Sequence, residues 1–207
     1  MRISILGTLA ILALIGGVSA VVGANSTPDS ARSELQLELG DLLFSDERYW
    51  EAIVAYDLAK VGARPVQLLR ASTGLLRSLM KVAEFTRAHR EALFLGDLDS
   101  SDPDLEALQA DAFWASGLFE EAEMKYRDIL AEEPSNAAAR HGLGRSLAAR
   151  SRLEEGLAEV ITAIASGDDR PEFYHTLGSI YRRLRQYQKS SDALEQYVEM
   201  LSNVRDS

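Results

Sequence analysis

The feature that most constrains this chain is a packing pattern that returns. In Ala112–Pro134, AFWASGLFEEAEMKYRDILAEEP, the residues Phe113, Gly117, Ala122, Tyr126 and Pro134 stand at set spacings. The small residue Ala122 recurs as Gly156 and Ser190 at steps of 34; Ala88 precedes it by 34, and Ala52 lies a further 36 back. Three residues before each stands an apolar one: Tyr49, Phe85, Phe119, Leu153 and Tyr187. Nine before come Leu43, Leu79, Phe113, Leu147 and Tyr181. Four after come Tyr56, Ala92, Tyr126, Val160 and Leu194, and three further on Ala59, Leu95, Ile129, Ala163 and Tyr197. Chemistry needs its residue once, whereas packing between repeated elements needs it at every period. Each period therefore reads as two helices joined by a short turn, with small residues where they approach and large apolar ones between neighbouring units. One such hairpin cannot bury its own apolar face, so the units must stack. Prolines are expected to close units at Pro65, Pro103, Pro134 and Pro171.

The pairs Leu39-Gly40, Gln109-Ala110, Leu143-Gly144 and Leu177-Gly178 occupy one further slot of the period, which holds Leu75-Leu76 in the least typical unit. The pattern resembles the tetratricopeptide repeat (TPR) family, whose period is 34 residues. Residues 171–204 follow its signature closely through Tyr174, Leu177-Gly178, Tyr181, Tyr187, Leu194 and Tyr197, with Ser190 in place of the usual Ala. The resemblance implies an all-α, right-handed superhelical solenoid of about five helix-turn-helix units, at about 33–66, 69–102, 103–136, 137–170 and 171–204. Ten helices and no sheet are expected from residue 33 onward. Scarce strand-type alternation and abundant Ala, Leu, Glu and Arg agree with that class.

Residues 1–24 are of another kind. One cation, Arg2, precedes a charge-free stretch that lasts until Asp29; Ile3–Ile15 is apolar and Gly16-Gly17 follows. Val18-Ser19-Ala20 and Val22-Gly23-Ala24 both suit a signal peptidase, and that favours a cleaved signal peptide. The span from Ile3 to Ala24 is also long enough for an uncleaved membrane anchor. On either reading Arg2 stays inside and the rest is exported, to the periplasm or the extracytoplasmic face of an inner membrane. Residues 25–32, NSTPDSAR, read as a linker.

Catalytic and metal chemistry finds little purchase. There is no cysteine, so disulfides, thiolate ligands and cysteine nucleophiles are excluded. His89, His141 and His175 lack metal-ligand spacing and are read as surface or groove residues. Gly142-Leu143-Gly144-Arg145 lacks both the strand and the ending of a phosphate loop. Pairs such as Glu120-Glu121 and Glu154-Glu155 suit helix ends. Trp50 follows the packing residue Tyr49 and is expected to be partly buried. No cofactor and no metal are expected, and the net charge of −10 speaks against nucleic acid.

In the resembled fold the first helix of each unit lines a concave groove. Its second, fifth, ninth, twelfth and thirteenth positions would place Arg77, Lys81, Asp111, Trp114, His141, Arg145, His175, Arg182 and Arg183 on one surface. The resemblance thus implies a non-catalytic protein-binding scaffold of the cell envelope, taking an extended or acidic partner segment through Arg hydrogen bonds. The ninth positions, Asp41, Arg77, Asp111, Arg145 and Ser179, lack the Asn of the family's chaperone-binding carboxylate clamp. An N-terminal recruitment module of a larger exported enzyme and a self-assembling repeat protein are the rival readings. A homo-oligomer would use the array ends, where Val198 and Leu201 are expected to remain exposed.

Overall fold

The computed structural model describes residues 28–98, 102–167 and 170–206. Residues 1–24, with their signal and anchor readings, lie outside these. Among the described residues the chain is helical, without a strand, and forms an all-α repeat solenoid. The helices, in chain order, are α1 (Pro28–Ser45), α2 (Tyr49–Ala59), α3 (Pro65–Lys81), α4 (Phe85–Gly96) and α5 (Pro103–Ala115). They continue as α6 (Phe119–Glu132), α7 (Ala137–Ala149), α8 (Leu153–Ala165), α9 (Pro171–Arg183) and α10 (Tyr187–Asp206).

The repeating slots are core. Ala52, Ala88 and Ala122 are wholly buried, and Gly156 and Ser190 are buried too. Each turn within a hairpin uses one device. Glu47, Ala83, Gly117, Ser151 and Arg185 all have positive φ, between 59° and 83°. The next residue's N–H then bonds back to a carbonyl five residues earlier: Arg48 to Leu43 at 2.9 Å, Glu84 to Leu79 at 3.0 Å, and Leu118 to Phe113 at 2.9 Å. Arg152 to Leu147 and Gln186 to Tyr181 repeat it, each at 2.9 Å. This left-handed C-terminal cap satisfies carbonyls that a helix end leaves open. Between units, Asp102 caps α5 by accepting from the Asp104 N–H, and Asn136 caps α7 by accepting from the Ala139 N–H.

The chain divides after Ser78 into two compact bodies. In the first, the Tyr56 ring lies against Gly40 and Gly74, where an added Cβ would stand 2.6 and 2.4 Å from it. The Tyr56 hydroxyl donates to Asp41 at 2.8 Å. In the second, successive helices from α5 to α10 pack on one another, α4 packs on α5, and the first helices of successive units also meet, α5 with α7 and α7 with α9. The backbones of α7 and α8 come close, so that a Cβ on Gly156 would lie 2.5 Å from the Gly144 carbonyl oxygen.

Several expectations are corrected. Residues 28–32 are the opening of α1, not linker: Ser30 is buried and its carbonyl accepts from Gln67 Nε2 at 2.9 Å. Pro65, Pro103 and Pro171 open helices instead of closing units, since the fixed φ of proline suits the first helical position. Trp50 is 58% exposed. It lies on the side of α2 away from Ala52, Tyr56 and Ala59, which already fill the core.

Candidate functional site

The ends of α5, α7 and α9 enclose a cleft of about 330 Å³. Trp114 comes from α5; His141, Arg145, Ala148 and Ala149 come from α7; Glu172, His175, Thr176, Ser179, Ile180 and Arg183 come from α9. All except Thr176 and Ile180 are groove positions expected from the repeat register. Arg77 and Lys81 on α3 do not line it, and Arg182 is exposed outside it. The sequence GLGR of α7 is mid-helix and its glycines and leucine are buried, so it forms packing and not a loop.

The cations do not all present open charge. Arg145 lies over Trp114, its guanidinium carbon 4.4 Å from the ring centroid. Its Nη2 donates to Asp111 Oδ1 and, at 2.9 Å, to the Tyr126 hydroxyl, which itself donates to Asp111 at 2.5 Å. Burial, with Asp111 beside it, pushes the Tyr126 phenol well above its ordinary pKa, so it remains a donor. Asp111 thereby neutralises Arg145, and the pair fixes the Trp114 plane. Asp111 and Arg145 are both ninth positions, 34 residues apart, and opposite signs at that offset were the signal for a bond between neighbouring units.

His141 is buried, stacks on Phe173 at 4.5 Å, and places Nε2 2.7 Å from Thr176 Oγ1. Burial first, then Arg145 and Arg170, lowers its pKa to about 3. It is a neutral hydrogen-bonding group of the cleft floor and adds no positive charge there. His175 is exposed and packs on Tyr197 at 5.3 Å. Arg183 reaches back to α7, donating to the Ala148 carbonyl at 2.5 Å and to Ser151 Oγ at 3.5 Å. Both of these partners are uncharged, unlike the Asp111 carboxylate that pairs with Arg145. The cleft therefore combines an aromatic face, a short-side-chain wall, the ion-paired guanidinium of Arg145 and the guanidinium of Arg183, with Glu172 also in its lining.

A second charged cluster escaped the sequence reading. Glu123, 5% exposed, accepts from Arg127 at 2.9 Å, from Arg150 at 2.5 Å and from Arg152 at 2.7 Å. Burial alone would raise its pKa, but these arginines together hold it below the ordinary carboxylate value. Arg150 and Arg152 tie this buried acid of α6 to the turn between α7 and α8, and Arg127 meets it from within α6.

Residues 113–180 match the tetratricopeptide repeat model. Over that stretch the chain carries tetratricopeptide repeats. No curated protein matches it in sequence. Among solved structures, the chain is similar to MamA 41-end from Desulfovibrio magneticus RS-1, with TM-score 0.67 and 14% identity over 85% of this chain and 98% of that one. TTC0263, a thermophilic TPR protein in Thermus thermophilus, aligns with TM-score 0.64 and 21% identity over 84% and 96%. YrrB, described as a TPR protein with an unusual peptide-binding site, aligns with TM-score 0.58 and 15% identity over 79% and 84%. At these identities the likeness is one of fold.

Proposed function

We propose that this TPR protein is a non-catalytic scaffold that holds an extended partner segment in the α5–α7–α9 cleft. The observation that carries this reading is the arrangement of Trp114, fixed by Arg145 and Asp111, beside the guanidinium of Arg183. A fixed aromatic face is suited to an apolar side chain, and Arg183 to a carboxylate of the same segment. The acidic partner expected from sequence thus narrows to one anionic group beside an apolar one, because Asp111 occupies Arg145. The peptide-binding site of YrrB lends support from a similar fold.

The test is a library of short extended peptides with free and amidated C-termini, titrated against the full chain. Acidic or free-carboxylate members should bind best. Arg183→Ala should weaken them tenfold or more, the worth of one charge-assisted hydrogen bond of about 1.5–3 kcal/mol. Equal affinity in Arg183→Ala, with helicity unchanged, refutes the assignment.

The same reading places the scaffold outside the cytoplasm, with residues 1–24 as the address. A fusion of residues 1–30 to a reporter active only after export should be active. A silent reporter refutes the placement.

A further inference from the structure

The outer face of α1 carries Leu35, Leu39 and Leu42, exposed by 56%, 43% and 59%. Helical spacing sets the three on one side, opposite the buried Leu37 and Gly40. In the other units this side is core. The repeat counterparts of Leu35, at offsets of 36 and then 34, are Ala71, Leu105, Ala139 and Phe173, and none exceeds 3% exposure. The counterparts of Leu42 are all within 2%. The complementary half of such a contact stands open on α10. Leu194 is 37% exposed, whereas its counterparts Tyr56, Ala92, Tyr126 and Val160 do not exceed 2%; Val198 and Leu201 extend the face at 61% and 41%. Leu194 and Val198 line an open groove of about 550 Å³.

We propose that these two faces bind each other between copies, α10 of one copy lying against α1 of the next. This continues an interface the chain already makes, in which the second helix of a unit packs on the first helix of the following one, α6 on α7 and α8 on α9. Arg32, exposed at the edge of the α1 stripe, meets the acidic flank of α10 formed by Glu195 and Glu199. The inference rests on the export reading in one respect: residues 3–24 are then held in a membrane or removed, and do not cover α1. Two different faces meeting head to tail leave a free face at each end, so growth continues to rings or filaments.

The test expresses the full 207-residue chain and purifies the product as the cell leaves it. Sedimentation velocity should show mass rising with concentration. Leu39→Glu and Val198→Glu should each yield monomers with unchanged helicity. A mixture of the two variants should give one-to-one dimers and nothing larger, because one intact α10 face and one intact α1 face remain. Arg183→Ala should assemble normally, which separates this proposal from the peptide cleft. A monomeric wild type, an unresponsive Val198→Glu, or a mixture that remains monomeric overturns the proposal.

Discussion

Gly156→Ala is the sharpest probe of the repeat packing. A methyl at Gly156 would stand 2.5 Å from the Gly144 carbonyl oxygen and 3.1 Å from the Ala148 amide nitrogen. Both are helix backbone atoms, which no rotamer change can move aside. An ordinary carbon–oxygen contact is about 3.3 Å. The helices α7 and α8 would have to part by roughly 0.8 Å, the shortfall from that contact distance, thinning the contacts of Ala148 and Val160 in the same cluster. Overpacking of this kind costs about 1–3 kcal/mol. Against it stands the gain of about 1 kcal/mol from replacing Gly by Ala within a helix. The net expectation is a loss of roughly 1–2 kcal/mol, or a few degrees in melting temperature for a chain of this size. Repeat arrays often unfold in parts, so the comparison variant matters. Gly96→Ala is that comparison: it lies at the end of α4, where an added Cβ meets nothing within 4 Å. It should be neutral or raise the melting temperature. Thermal and urea melts followed by circular dichroism decide the matter. If Gly156→Ala stabilises as much as Gly96→Ala, the α7–α8 approach is wrong.

Other perturbations follow from the same packing and charges. Ala122→Leu should cost roughly 1–3 kcal/mol in urea unfolding because its site is wholly buried, and Ala115→Leu, only partly buried at the end of α5, should cost much less. Glu123→Ala should cost roughly 2 kcal/mol by removing the acid that three arginines share, with Glu123→Gln between it and wild type. His141, with a folded pKa of about 3 below its ordinary value, is stabilising above about pH 6.5 and loses that contribution as the pH falls toward 3. Unfolding free energies should therefore drop between pH 7 and pH 5 by about 1–2 kcal/mol, and His141→Gln should flatten that part of the profile. Arg145→Glu should lower the melting temperature, since it sets an acid beside Asp111; an unchanged melt refutes the pairing.

The sequence by itself determined the hairpin repeat. Small residues at Ala52, Ala88, Ala122, Gly156 and Ser190 encode contacts between helices close in the chain, and such contacts must recur wherever the same two helices meet. The groove register was legible for the same reason, and it located most of the cleft. Turn conformation was legible only at Gly117. Glu47, Ala83, Ser151 and Arg185 adopt the same left-handed cap without a glycine to announce it, because the hydrogen bonds and packing of both helices impose it. The charge of the cleft was decided by tertiary structure. The sequence places Arg145 and His141 in the groove, whereas only the packed structure shows that Asp111 from the neighbouring unit neutralises the one and that burial against Phe173 keeps the other uncharged. Electrostatics sums over every element packed around a group, and a periodic pattern carries only the contacts that repeat.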